Sequence, residues 1–416
     1  MKSLTTEEGI RHFLTLRFGL FVHWGLYAIN GYHEQELWRA RKTRAEYEPL
    51  MQRFNPTRFN ADAWLDVVEA AGMRYITVTT KHCDGFCLWN SDVTDYSSWH
   101  SPARADYIER IAEACARRDV PLALYYSGPD MHQPNYPHEN RRYEFAESPL
   151  GDRPDIGLYL DYVRTQVREL CTRYGRLLGF FWDGADLLKV SDPSMNAMIR
   201  ELQPGIVIND RGFGAGDLST PERMYTDRPE AFTHAAYPAP TEACESIGAE
   251  SWGFRTHEDY FTLGRLTRRM AWHWAKGGNF LLNIGPEADG SLPETGVDLL
   301  RRIGEWKRRT AEAFDGTTLA PGLTDNKRVL MLRRGDTLYV VCTEPLDTTG
   351  LWLDGFRAAP VSATVLNTGT RVLFAVERAP SRWNVDGADA LHLWDIPADT
   401  LSNEAVVIKL TLRADV

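Results

Sequence analysis

A carboxylate that closes an apolar run is the first residue to weigh for chemistry. Asp183 ends Gly179-Phe180-Phe181-Trp182-Asp183, and Gly184 after it permits close approach of backbone or ligand. An acid so placed can attack an electrophilic carbon or take a proton. It can equally cap a following helix. The choice rests on its company. His23 ends Phe18-Gly19-Leu20-Phe21-Val22-His23, Lys81 and His82 follow Tyr75 to Thr80, Tyr125-Tyr126-Ser127 ends a third run, and Asn209-Asp210-Arg211 ends another. A lone histidine there is more often structural, but the set together supplies donors and acceptors suited to sugar hydroxyls. Its aromatic rings can stack on the apolar face of a pyranose.

These residues need strands to hold them. Residues 18–23, 75–80, 122–127, 178–183, 206–210 and 279–284 read as short apolar strands. Between them, 61–71, 106–118, 156–174 and 260–276 carry apolar residues at helical spacing, with Asp62, Asp106 and Asp155 near the helix starts as caps. Alternation of strand and helix predicts an α/β fold with parallel strands, a (β/α)8-like TIM barrel. The polar residues His23, Lys81, His82, Ser127, Asp183 and Asp210 fall where strands end, the barrel rim on which active sites are built. Beyond a last helix to about residue 313 the texture turns to short β-rich runs, 329–333, 337–342, 371–377 and 406–412. We therefore expect a catalytic barrel over 1–318 and a smaller antiparallel β-sandwich over 319–416. The stretch 128–155, rich in Pro, His and Asn, reads as a long functional loop.

Composition narrows the partners. A formal net charge of −10 lacks the basic face that phosphate neutralisation requires, which argues against nucleic acid and anionic membranes. No apolar stretch approaches the roughly 18 residues of a membrane span. Glu7 and Glu8 stand where a secretory signal would keep an apolar core, so a cytoplasmic location is expected. Six scattered cysteines read as reduced thiols, and Cys83 with Cys87 lacks the second ligand pair of a zinc site. The expectation is a chain without metal or cofactor. The sequence says nothing of oligomeric state.

Seven strings in order, RFGLFVHWG, KHCDGFCLW, ALYYS, FFWDG, INDR, SWGF and KGGNFLLNIGPEADGSLP, make the chain resemble the family 29 glycoside hydrolases, the α-L-fucosidases, over about residues 8–317. The resemblance implies a retaining exo-α-L-fucosidase acting on fucosylated oligosaccharides or glycoconjugates, with Asp183 as nucleophile. It implies that His23, His82, Tyr125 and Arg211 contact the fucose and that Trp252 lies beside its methyl group. Glu34 matches the acid of a Glu-Trp pair whose ring is replaced here by Gln35, and Cys83 stands where the family often has a second histidine.

The acid/base of the family varies in sequence context; the resemblance favours Glu222, whose Ser219-Thr220-Pro221-Glu222 best matches the pattern that follows Asn209-Asp210-Arg211, with Glu242 and Glu245 as rivals. Glycines 212, 214 and 216 just before Glu222 would let it swing towards Asp183 on binding. The alternatives are another retaining glycosidase on the same fold and a fucose-binding, lectin-like relative that has lost catalysis. A metal-dependent hydrolase would call for H-x-H on the first strand, where His23 is followed by Trp24 and Gly25.

Overall fold

The computed structural model describes residues 4–138, 149, 151–223, 235–324, 326–356, 358–378 and 389–413. Much of the long loop expected over 128–155 therefore lies outside the described residues. Contacts divide the chain into two compact units, one of Met1–Arg223, Ala239–Tyr260 and Leu281–Asp298, the other of Met224–Pro238, Phe261–Phe280 and Leu299–Val416.

A curled sheet lies in the first unit apart from Asn279 and Phe280 of its last strand in chain order, which fall in the second. Its strands are β1 (Phe18–Val22), β2 (Tyr75–Lys81), β3 (Leu122–Ser127), β4 (Gly179–Asp183), β5 (Val207–Ile208), β6 (Glu242–Ser246) and β7 (Asn279–Ile284), in the spatial order β5-β4-β3-β2-β1-β7-β6. The recorded ladders from β1 through β5 are parallel. Between the edges β5 and β6 runs the segment 218–222, joined by isolated parallel bridges, Asn209 to Leu218 on one side and Ser219 to Thr241 and Glu222 to Cys244 on the other. Those bridges carry the ring from one open edge to the other and complete a (β/α)8-like barrel.

Helices fill the connections, as their caps dictate. Asp106 and Asp155 accept from the first-turn amides of Tyr107–Arg117 and Ile156–Arg173, at 2.9 Å from Glu109 N and 2.8 Å from Gly157 N. The helix Ala61–Ala70 is capped instead by Asn60, whose side chain accepts from Ala63 N. Asp62, expected in that role, pairs with Arg117 on the surface. The helix Thr6–Leu16 sends Phe13 and Leu16 into the barrel interior, against Tyr75 and Phe21 among others.

In the second unit the strands are β8 (Thr318–Leu319), β9 (Val329–Arg334), β10 (Thr337–Cys342), β11 (Leu351–Leu353), β12 (Ser362–Val365), β13 (Thr370–Arg371), β14 (Leu373–Arg378), β15 (Asp389–Trp394) and β16 (Val407–Thr411). They form a six-stranded sheet, β13-β12-β16-β10-β9-β8, and a three-stranded one, β11-β15-β14, with every recorded pair antiparallel. Period-two alternation puts Leu338, Val340, Ile408 and Leu410 of the first sheet and Leu353, Leu391 and Leu393 of the second in one apolar core, the section of a β-sandwich.

Candidate active site

Phe21, Tyr125, Phe181 and Cys244 share the apolar interior of the barrel. Side chains alternate along a strand, so His23, two beyond Phe21, and Asp183, two beyond Phe181, point inward at the C-terminal rim. A cavity of about 240 Å³ opens there, and Asp183, Glu222, His23, Glu34, His82, Tyr125, Arg211 and Trp252 all line it, as does Gln35.

The two carboxylates meet at one nitrogen. Arg211 Nη1 donates to Asp183 Oδ1 at 3.1 Å and to Glu222 Oε2 at 2.7 Å, so those oxygens lie no farther apart than the two distances laid end to end. Its Nη2 donates to the Thr220 carbonyl at 2.8 Å, which ties the 218–222 segment to the same guanidinium. Tyr125 reaches up from one layer below, its hydroxyl donating to Asp183 Oδ2 at 2.7 Å. Burial works to raise the Asp183 carboxyl, but the charge of Arg211, the Tyr125 hydroxyl and His82 outweigh it and hold the group below the usual carboxylate range.

His23 is a neutral donor and acceptor rather than a base. Asn283 donates its Nδ2 to the Trp252 carbonyl at 2.6 Å, which turns its Oδ1 to His23 Nδ1 at 2.7 Å. His23 Nδ1 must then carry the proton, and Nε2 is left as an acceptor. Burial, then the neighbouring His82, push the His23 pKa down to about 3, so the ring stays uncharged. The His82 ring lies parallel to Tyr125, with 5.8 Å between centroids, and its buried Nδ1 has no hydrogen-bond partner among the described residues.

Glu34 shapes the wall. Its Oε2 accepts from Ser251 Oγ at 2.8 Å and Trp252 N at 2.9 Å, fixing the loop that presents the Trp252 ring. Burial opposes that carboxylate, yet His33, His82 and His23 hold its pKa below the ordinary value. Trp252 packs edge-on to Phe21, and Phe21 meets Phe181 with centroids 5.2 Å apart, so one side of the cavity is apolar. Gln35 turns its Oε1 to Arg39 Nε at 2.9 Å. Cys83 is buried and does not line the cavity.

Other polar strand ends serve the scaffold. Lys81 is wholly buried in an ion pair with Asp130 at 2.6 Å, Ser127 donates to the Pro129 carbonyl, and Asp210 is exposed away from the cavity. The rival acids do not line the cavity either. Glu242 begins β6, at the opposite end of the barrel, where the hydroxyl of Tyr75, first residue of β2, donates to it. Glu245 alternates with the inward Cys244 and its carboxylate lies 3.8 Å from Arg223 Nε.

The glycines before Glu222 are points of close contact. A Cβ on Gly212 would stand 2.5 Å from the Trp182 ring and one on Gly216 2.1 Å from the Asn209 carbonyl, and Glu222 already faces Asp183 across Arg211. Sequence reasoning missed β6, the bridging segment 218–222 and Asn283. Of these only Asn283 left a signal, a polar side chain within the apolar run 279–284.

A family model described as Alpha-L-fucosidase matches residues 1–312. Among solved structures, α-L-fucosidase isoenzyme 1 from Paenibacillus thiaminolyticus is 32% identical, covering 98% of this chain and 99% of that one, with a TM-score of 0.83. A GH29 α-L-fucosidase from Bacteroides thetaiotaomicron, trapped as a covalent intermediate in complex with 2-fluoro-fucosyl fluoride, is 25% identical over 100% of this chain and 98% of that one, with a TM-score of 0.78. The plasma α-L-fucosidase of Homo sapiens is 25% identical over 338 residues, 75% of this chain and 70% of the relative.

Proposed function

Since the chain belongs to the α-L-fucosidase family of exo-acting glycoside hydrolases, we propose that it releases terminal α-L-fucosyl residues from fucosylated oligosaccharides or glycoconjugates by double displacement, with Asp183 as nucleophile and Glu222 as acid/base. In the first step an Asp183 oxygen attacks C1 while Glu222 protonates the glycosidic oxygen, so the aglycone leaves as an alcohol and a fucosyl ester forms on Asp183. In the second, Glu222 takes a proton from water, the water oxygen attacks C1, and the ester bond breaks to return Asp183 as a carboxylate.

The observation that carries this reading is the shared Arg211 nitrogen. Retaining enzymes hold their carboxyl groups roughly 5 to 5.5 Å apart, whereas inverting ones leave roughly 6.5 to 9.5 Å for a water. The 3.1 Å and 2.7 Å contacts to one nitrogen keep the facing oxygens of Asp183 and Glu222 short of the inverting range. His23 Nε2 and the His82 ring take sugar hydroxyls, and the Phe21, Phe181 and Trp252 wall takes the methyl group at C5.

Proton NMR of early hydrolysis tests the stereochemistry. α-L-Fucose should appear first and mutarotate later. Initial release of the β-anomer would mean a single displacement, and the role given to Asp183 would have to be abandoned.

A further inference from the structure

Arg223, the residue after Glu222, adopts a left-handed backbone, with φ of 44°, which side chains other than glycine rarely occupy. Its amide donates to the Cys244 carbonyl at 3.2 Å, while Cys244 N donates to the Pro221 carbonyl at 3.0 Å. Glu222 is therefore held on both flanks by one residue of β6. The left-handed turn then sends the Arg223 side chain to another part of the rim. Nη1 donates to the Ala249 carbonyl at 2.6 Å, Nη2 to the Gly248 carbonyl at 3.3 Å, and the guanidinium lies over the Trp252 ring at 4.9 Å from its centroid.

We propose that Arg223 is a positioning residue for general acid catalysis, a strut that fixes the Glu222 carboxylate against the Trp252 wall. This rests on the reading of Glu222 as the acid/base. Arg223 does not itself line the cavity. It is covalently next to one lining residue and stacked on another, so the spacing between proton donor and sugar wall passes through its side chain. A planar fork on two carbonyls sets that spacing in a way a lysine ammonium cannot. An acid displaced by a fraction of an ångström still leaves Asp183 free to attack, so the loss should appear only where the leaving group needs a proton.

The test is kcat/KM across aryl α-L-fucosides of rising leaving-group pKa, for the parent enzyme, Arg223→Gly, Arg223→Lys and Glu222→Ala. Glycine keeps the left-handed turn and deletes the side chain, including its 3.8 Å contact with Glu245. Arg223→Gly should lose about 10²-fold on the poorest leaving group and under about 3-fold on the most activated one. Arg223→Lys should fall between, and Glu222→Ala should show the same slope more steeply. If the glycine variant does not fold, as circular dichroism would reveal, the lysine variant carries the same comparison. Losses equal across the series in the Arg223 variants, beside a sloped loss in Glu222→Ala, overturn the strut and leave Glu222 in place. A flat loss in Glu222→Ala removes Glu222 as acid/base, and the role of Arg223 falls with it.

Discussion

The two ends of the barrel hold their acids in opposite ways. At the C-terminal rim, Asp183 and Glu222 share the Arg211 guanidinium, and Asp183 is kept below the usual carboxylate range despite its burial. At the N-terminal end, Glu242 sits wholly buried near the layer of Tyr75, Val207 and Leu281 with a phenol for a partner. Burial pushes its pKa up to about 7, and the Tyr75 hydrogen bond and the more distant Arg211 offset that only in part. A cation at contact distance makes a carboxylate available as a nucleophile, whereas burial with only a phenol donor for a partner leaves an acid neutral. Position along the strands thus separates the acid proposed as nucleophile from one held neutral by burial.

Removing the rim acid should have the largest effect. Asp183→Ala deletes the atom proposed to bond to C1, and turnover of an aryl α-L-fucoside should drop by about four orders of magnitude or more. Retention of more than about a few per cent of activity in a folded variant would show that the cation-held acid is not the nucleophile, and the contrast between the two ends would lose its functional half.

A middle effect is expected one step away from the substrate. Asn283→Ala takes from His23 the acceptor that holds its proton on Nδ1, so the ring can present either nitrogen to the sugar. We expect kcat/KM to fall about 10- to 100-fold, as when other partners that orient a histidine are lost. An unchanged kcat/KM would mean that packing against Trp252 and Tyr125 alone orients the ring.

Much of this contrast was legible before any coordinates. The strands with apolar runs, β1 to β5 and β7, announce themselves, and their polar ends mark the rim. What escaped was the closure of the barrel. Strand β6 reads Glu-Ala-Cys-Glu-Ser, with no apolar run, because its inward positions are satisfied by residues far away in sequence: Glu242 by Tyr75, Ser246 by Asn283, and Cys244 by Arg211. A window moved along the chain cannot see such partners. Lys81 was misleading for the same reason. Its place at a strand end resembles that of His82, but Asp130, 49 residues on, takes its charge. Arg211 was recognisable as a site residue, though nothing in its spacing told that one nitrogen would serve both acids.

The smallest effect on activity, and the sharpest test of the contrast, belongs to Glu242→Gln. The folded protein prefers this acid protonated, with a pKa near 7 against 4.5 for an ordinary glutamate. The stability that goes with the neutral form is then fully present below about pH 4.5 and is lost as pH rises through about 7, where ionisation leaves a charge among apolar side chains. Glutamine keeps the shape, still accepts from the Tyr75 hydroxyl and never ionises. Between pH 5 and pH 8 the thermal midpoint of the parent should therefore fall relative to that of Glu242→Gln, by the equivalent of roughly 1 to 3 kcal/mol. Other titrating groups are common to both proteins and cancel in that difference. Turnover should agree within about 3-fold at a pH where both are folded, since changes remote from the reacting atoms leave the barrier largely intact. Parallel midpoints across the range would mean that Glu242 is ionised in the fold and that the two ends treat their acids alike. A variant that lost activity only on poor leaving groups would make Glu242 the proton donor, and Glu222 would be left as a ligand of Arg211.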